Sequence, residues 1–461
     1  KEGMPVHLQK LFGIVCAGKR PETGTDPSGE DDRVYHLHPS YICHSIHTTL
    51  FSRTLKFSQG EEIDTGVPMT RWIPAVITAL LLLAISAGCT SHERAEPPQS
   101  IPGPSIIDLE DIAASSSGIT LTDSIGREVT VPRNVTHLLC SGPGCMRYLA
   151  YLQATGMAVG ADIPEQDTRA SPVPAYLMAN PQIRLLPSTG AVTGAENPDA
   201  IRALDPRPDV IFRMGESPVL SADSLQEKTG IPVLILHEGD LSYGRGTFNY
   251  ALRVMGVVIG KSSRAEEVIR FFDKVTENLD SRARTIPEFQ QKSAYFGGYS
   301  APEPGSLYAT STVVLPFRLA GVSNVAEEYG ADNGISGPFT IPREALSRMA
   351  PDGIFLDMTT WSLTDNAVTD LEKSELLQGM TVVKEGEVYG LLPSTLYGEE
   401  HEADLINAYR VGKALYPDKF LDVDPEVMAD YIYSFLYGQP LFEEMDRALG
   451  GMALSRIPLF P

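Results

Sequence analysis

Several stretches of the chain carry residue types able to do chemistry. Ser141-Gly-Pro-Gly-Cys-Met-Arg147 sets small, flexible residues just before a helical pattern. Free N–H groups at a helix start favour an anion, and Arg147 adds a fixed positive charge. The same glycines would equally serve a bare tight turn. No Gly-Lys-Ser/Thr follows, so this is not a nucleotide-phosphate loop. Cys140 and Cys145 flank the turn. They would pair as a disulfide if their Cα atoms lie within about 7 Å, or remain two small buried thiols. Glu399-Glu-His-Glu402 has hard-ligand chemistry, but a charge run of this kind is ordinarily a solvated loop, and we expect that loop and no metal. After residue 89 only His92, His137, His237 and His401 remain, with no His-Glu-x-x-His and no Gly-x-Ser-x-Gly. A secreted metallohydrolase using His237-Glu238 or His401 is therefore the weaker reading.

These residues need elements to position them. Thr120 to Val131 alternates like a hairpin, with its turn near Asp123-Ser-Ile-Gly126. Short apolar strands are expected at 135–140, 210–212 and 233–236, with helices at 146–154, 198–204, 221–229 and 247–259. Then Ser262 to Arg284 runs without Gly or Pro. Ala265, Val268, Ile269, Phe272, Val275 and Leu279 form one apolar stripe at three- and four-residue spacing, and Ser262 or Ser263 would cap the helix. Its 23 residues would span about 35 Å. A second set follows, with strands at 293–296, 353–357, 381–383 and 388–392, Lys384-Glu-Gly386 as a hairpin turn, and closing helices at 403–415 and 425–438. Strand–helix alternation implies parallel sheets covered by helices. The fold class is α/β: two doubly wound lobes joined by one long interlobe helix. Ligands of such sheets sit beyond the strand ends. Arg147, Arg213, His237, Tyr299, Trp361 and Tyr397 follow strands in this way and are the candidate ligand-binding residues, Tyr299 and Trp361 as stacking surfaces.

The layout and four local motifs resemble the substrate-binding proteins of iron-siderophore and vitamin B12 ABC importers, over about residues 119–440. Asp123-Ser-Ile-Gly-Arg-Glu-Val-Thr-Val-Pro132 is similar to that family's opening. Asn197-Pro-Asp-Ala-Ile-Arg-Ala-Leu followed by Pro208-Asp-Val-Ile is similar to its N-lobe segment. Ile341-Pro-Arg-Glu-Ala-Leu followed by Pro351-Asp-Gly-Ile-Phe is similar to the twin in the second lobe. Val382-Val-Lys-Glu-Gly-Glu-Val-Tyr389 is the fourth. The resemblance implies a ligand cleft between the lobes, small closure about one stiff helix, and no catalysis or cofactor. It implies an iron chelate as ligand, with a corrinoid as the alternative. It also implies that Asp199 and Glu344, one on each lobe, contact arginines of an ABC permease; Asp199 stands where a Glu is usual. Without the flanking motifs, both acids read as helix-start carboxylates favouring the dipole.

The N-terminal region reads separately. Residues 1–68 hold five of the nine His and no periodicity, and look like a non-native or disordered extension. Met69-Thr-Arg71 opens a signal-like segment, apolar from Ile73 to Ile85, that ends Ser86-Ala-Gly-Cys89. Residues 69–88 are expected to be a signal peptide. Cys89 would be a lipidated first residue, or the segment would stay as an anchor. Residues 89–118 would be a Pro- and Ser-rich tether, 119–260 the first lobe, 261–286 the helix and 287–461 the second lobe with its closing helices. The 461 residues carry 37 Lys+Arg against 59 Asp+Glu, a net −22. That acidity argues against nucleic-acid binding. The expected molecule is a membrane-tethered, extracytoplasmic monomer. A surface adhesin that binds no solute is a third reading.

Overall fold

The structure is a computed structural model that describes residues 113–114, 118–167, 172–190, 193–300 and 305–459. The expected extension, the signal segment and Cys89 lie outside them. Order begins slightly earlier than the sequence pattern implies, because β1 (Ala113–Ala114) pairs antiparallel with β2 (Ile119–Thr122). β2 pairs in turn with β3 (Glu128–Val131). Asp123 holds that hairpin together. Its Oδ1 accepts the backbone N–H of Ile125 and Arg127, and its Oδ2 accepts from the Arg127 guanidinium and from the N–H of Ile235. Arg127 also donates to the Val233 carbonyl. The Asp-x-x-Gly-Arg spacing thus serves to dock the hairpin on the next sheet.

That sheet contains β4 (Leu138–Ser141), β5 (Val210–Met214) and β6 (Val233–Leu236), all parallel in the order β4-β5-β6. Alternate side chains face opposite layers, as the pleat requires. Leu139, Ile211, Val233 and Ile235 pack with Ile201 and Leu225 of the helices Pro198–Arg202 and Ala222–Thr229. Leu138, Cys140, Val210, Phe212 and Leu234 face the main core with the helices Cys145–Tyr151 and Arg245–Val258. Helices on both faces make this a doubly wound sheet.

The helix Ser262–Ala283 buries the expected stripe and Phe271 besides. Its N-cap is Lys261, with no side-chain cap, so neither Ser262 nor Ser263 plays that part. Phe272 meets Phe248 at 5.1 Å and Tyr151 at 5.6 Å between ring centroids. Beyond the helix, β7 (Ser293–Gly297), β9 (Ser323–Asn324), β11 (Gly353–Asp357) and β12 (Val388–Leu391) form a second parallel sheet ordered β12-β11-β7-β9. β8 (Ala309–Ser311) and β10 (Pro338–Thr340) pair apart from it. Thr381–Lys384 is a helical turn rather than a strand. Its β-branched run suits a strand locally, but Val382 and Val383 are buried and the Glu385 N–H bonds back to the Thr381 carbonyl. Gly386 therefore ends a turn that leads into a parallel strand, not a hairpin.

One of the last helices reaches back past the second sheet. Pro425–Tyr437 packs against Cys145–Tyr151 and Ala175–Ala179. The Phe435 ring stacks on Phe271 at 3.9 Å, and Arg264 of the long helix donates to the Tyr151 and Phe435 carbonyls. Among the described residues no helix is long and apolar enough to cross a membrane. Phe272→Ala should cost about 3–5 kcal/mol of folding stability in chemical denaturation, since a wholly buried ring between two others leaves a void.

Candidate functional site

The strand ends of the two sheets meet at a polar seam. At its centre is Arg147, on the first turn of the helix after β4, with no solvent exposure. Its guanidinium reaches across to the segment that follows β12. It donates to the carbonyls of Leu396 (2.9 Å) and Glu399 (2.7 Å) and pairs with the Glu400 carboxylate. On its own side Glu238 lies 3.5 Å away and the Tyr176 ring lies beneath it, 5.0 Å to the centroid. Burial alone would destabilise the charged guanidinium. Glu400 and Glu402 outweigh that cost and hold it charged.

Further contacts run across the same seam. Tyr397 donates its hydroxyl to Asp162 at 2.7 Å, and its carbonyl accepts the Gly144 N–H at 3.0 Å. The Glu399 N–H donates to Glu238 at 3.0 Å. His401 Nε2 lies 3.2 Å from the Gly239 carbonyl, and burial pushes its imidazole down to about 3, so it donates there as the neutral ring. Tyr151 and Tyr437 both donate to Glu402. Two glycines make this approach possible. Gly398 has φ 109°, and a Cβ there would sit 2.7 Å from the Gly144 nitrogen. Gly144 has φ 81°, and a Cβ there would overlap the Glu238 carboxylate.

Arg213 is likewise wholly buried, its Nε 2.9 Å from Glu196. Ser141 Oγ and the Gly194 N–H also bond that carboxylate, at 3.0 and 2.8 Å. Cys140 and Cys145 are joined as a disulfide, Cα atoms 5.5 Å apart, which closes the Ser-Gly-Pro-Gly turn on itself.

This arrangement corrects several expectations. Arg147 and Arg213 do not present free guanidinium groups to a ligand, because the protein's own carboxylates already neutralise them. The Ser141–Arg147 turn offers no vacant anion site either: Asp162 accepts the Gly142 N–H and the Tyr397 carbonyl takes that of Gly144. Glu399–Glu402 is not a solvated loop. Glu400, His401 and Glu402 are buried where the helix His401–Leu415 begins. Among the described residues no group of three or more His, Cys, Asp or Glu is placed to hold a metal ion. The remaining candidates differ in access. His237 is exposed, while Tyr299, Trp361 and Tyr397 are half-buried. Tyr299 packs edge-on to Phe296, and Trp361 lies against Gly450. Asp199 and Glu344 are both exposed, at the starts of the short helices Pro198–Arg202 and Arg343–Leu346; Asp199 pairs with Arg202. Asp162 and Glu196 escaped the sequence reading. No local pattern marks them, since each acquires its partner only across the fold.

Removing one member of a buried pair strands the other charge. Arg147→Met should cost about 3–5 kcal/mol in chemical denaturation, and Arg147→Met with Glu400→Gln should cost less than the sum of the two single changes. Burial also pushes the Glu238 carboxyl up to about 8, against the pull of Arg147. Between its ordinary value of 4.5 and 8, the folded Glu238 keeps a proton that the unfolded chain has lost. Stability therefore falls as pH rises through that window. Melting temperature should decline from about pH 5 to about pH 8, and Glu238→Gln should flatten the decline.

Comparison with known proteins gives this seam its context. Residues 197–395 match the family model of periplasmic binding proteins. No curated protein matches the sequence. Among solved structures, a periplasmic solute binding protein from Veillonella parvula is 17% identical, with a TM-score of 0.56, covering 74% of this chain and 99% of its own. An ABC transporter solute binding protein from Sulfurospirillum deleyianum is 18% identical, with a TM-score of 0.54 and coverage of 72% and 99%. The molybdate periplasmic binding protein MolA of Haemophilus influenzae is 18% identical, with a TM-score of 0.54 and coverage of 70% and 98%. At such identities the likeness is one of fold. Residues 197–395 are thus similar to periplasmic binding proteins, and the two-sheet α/β fold around them is similar to that of solved solute binding proteins.

Proposed function

We propose that the protein captures a metal chelate, in the first instance an iron(III) complex, outside the cytoplasmic membrane and delivers it to an ABC permease. The observation that carries this reading is the pairing of the family match over residues 197–395 with two parallel sheets whose strand ends meet at one seam. Lobes at 119–260 and 287–461, joined by the helix, would hold the ligand between them. The half-buried aromatics Tyr299, Trp361 and Tyr397 would supply surfaces for the organic part, with the exposed His237 as a directed polar group. Those aromatics also favour a corrinoid as the second ligand class. Closure would be small, because the helix Ser262–Ala283 and the cross-seam bonds of Arg147 both resist hinging. Cys89 would anchor the chain by a lipid, or the preceding apolar segment would do so uncleaved.

Two measurements test the reading. Titrating the purified protein with ferric siderophores and cobalamin should give fluorescence quenching or a thermal shift with at least one; silence with all of them would sink it. Asp199 and Glu344 would meet permease arginines through charge-assisted bonds. Asp199→Arg with Glu344→Arg should therefore abolish uptake by cells while ligand affinity in solution stays unchanged.

A further inference from the structure

The second sheet has another concave face, at the opposite end from the seam. Where β7, β11 and β12 begin, a cavity of about 780 Å³ opens. That volume lies within the ordinary range for small-molecule pockets, about 300–1,000 Å³. Its apolar wall comes from Met349, Pro351, Met380, Val382 and Leu415. Pro351, Met380 and Val382 are buried, while Met349 and Leu415 are half-buried. Two unbranched methionine side chains give a wall able to adapt to an apolar guest. Three of the charges around it are already answered. Lys292 Nζ lies 2.7 Å from Asp352 Oδ1, and Asp352 Oδ2 accepts the Ser293 N–H at 2.9 Å. Glu387 accepts from the Tyr389 hydroxyl and the Arg456 guanidinium. Two others differ. Arg348 and Glu385 both line the cavity and both are exposed, and neither side chain has an ion-pair or hydrogen-bond partner among the described residues. The helix His401–Leu415 also ends in the wall, at Ala414 and Leu415. A helix C-terminus presents carbonyls without intrahelical partners and favours positive charge.

We propose that this cavity is a second binding site, for a small zwitterion with an apolar body, the chemistry of a short unmodified apolar peptide. Its carboxylate end pairs with Arg348, whose planar guanidinium is able to bond both oxygens. Its ammonium end pairs with Glu385, and the negative end of the helix His401–Leu415 adds to the same field. The side chains between the two ends cover Met349, Met380 and Leu415 and remove their apolar surface from water. One free charge of each sign beside an apolar wall singles out this class. An anionic amphiphile would leave Glu385 unanswered, and a cationic one would leave Arg348 unanswered. The cavity lies at the strand starts of the second sheet and the seam at its strand ends, so the site stands whether or not the seam takes a metal chelate.

The test is a calorimetric titration of the full chain with trileucine, N-acetyl-trileucine and trileucine amide. Trileucine should bind with a Kd below about 1 mM, and blocking either end should weaken it about fivefold, the factor that one exposed ion pair is worth. Glu385→Gln should weaken trileucine by the same factor and abolish the penalty for acetylation alone. Arg348→Gln should do so for amidation alone. Both side chains are exposed and unpaired, so each variant should keep the parent's melting temperature. That end-specific exchange is what unspecific apolar adhesion does not produce. No heat with trileucine at millimolar concentration would overturn the site. Binding indifferent to both substitutions would place the peptide elsewhere and overturn it equally, and binding indifferent to both blocked ends would overturn the zwitterion assignment.

Discussion

A guanidinium with no access to water must be paired, and most of the seam follows from that requirement. Arg147 sits on the helix after β4 with no exposed surface. Desolvating such an ion costs several kcal/mol, and only close counter-charges and carbonyls offset it. Those partners come from the other half of the chain, the segment from Leu396 to Glu400. Bringing that backbone near enough needs Gly398 against Gly144, and it leaves Tyr397 at a positive φ of 52°. Holding it there engages Asp162, Glu238, His401 and Glu402 in turn. One buried charge thus dictates the backbone of a loop, the burial of an acidic run and the contact between two sheets.

The same requirement separates holding the lobes together from holding a ligand. An arginine bonded to two carbonyls and a carboxylate is a structural cross-brace. In the proposed binding role, the ligand would meet groups that the brace does not use, among them Trp361 after β11 and the exposed His237. Stiffness has two sources, the helix Ser262–Ala283 and this brace. The helix Pro425–Tyr437 adds a third by packing on Cys145–Tyr151 of the first lobe, while its Phe435 stacks on Phe271 of the long helix.

Much of the architecture was readable as pattern. The long helix lies where its apolar stripe placed it, because a 3.6-residue period without Gly or Pro has one compact solution. The strands at 233–236 and 353–357 match apolar runs of matching length. Thr381–Val383 misled, because β-branched residues favour strands only when a neighbouring strand is there to pair with, and here β11 already pairs with β12. The acidic run at 399–402 misled for a related reason: a charge run is solvated unless a counter-charge arrives from elsewhere, and Arg147 lies about 250 residues away in the chain.

The division is therefore physical. Local periodicity, turn chemistry and short motifs act over a few residues, so the sequence by itself determined the two α/β halves and the helix between them. Pairing of buried charges acts across the fold, at distances the chain order does not encode. Only the tertiary structure decided that Arg147 and Arg213 belong to the protein's own carboxylates, that Cys140 meets Cys145, and that Glu400 and Glu402 lie inside. Burial changes what a side chain is able to do, and burial is a property of the folded chain.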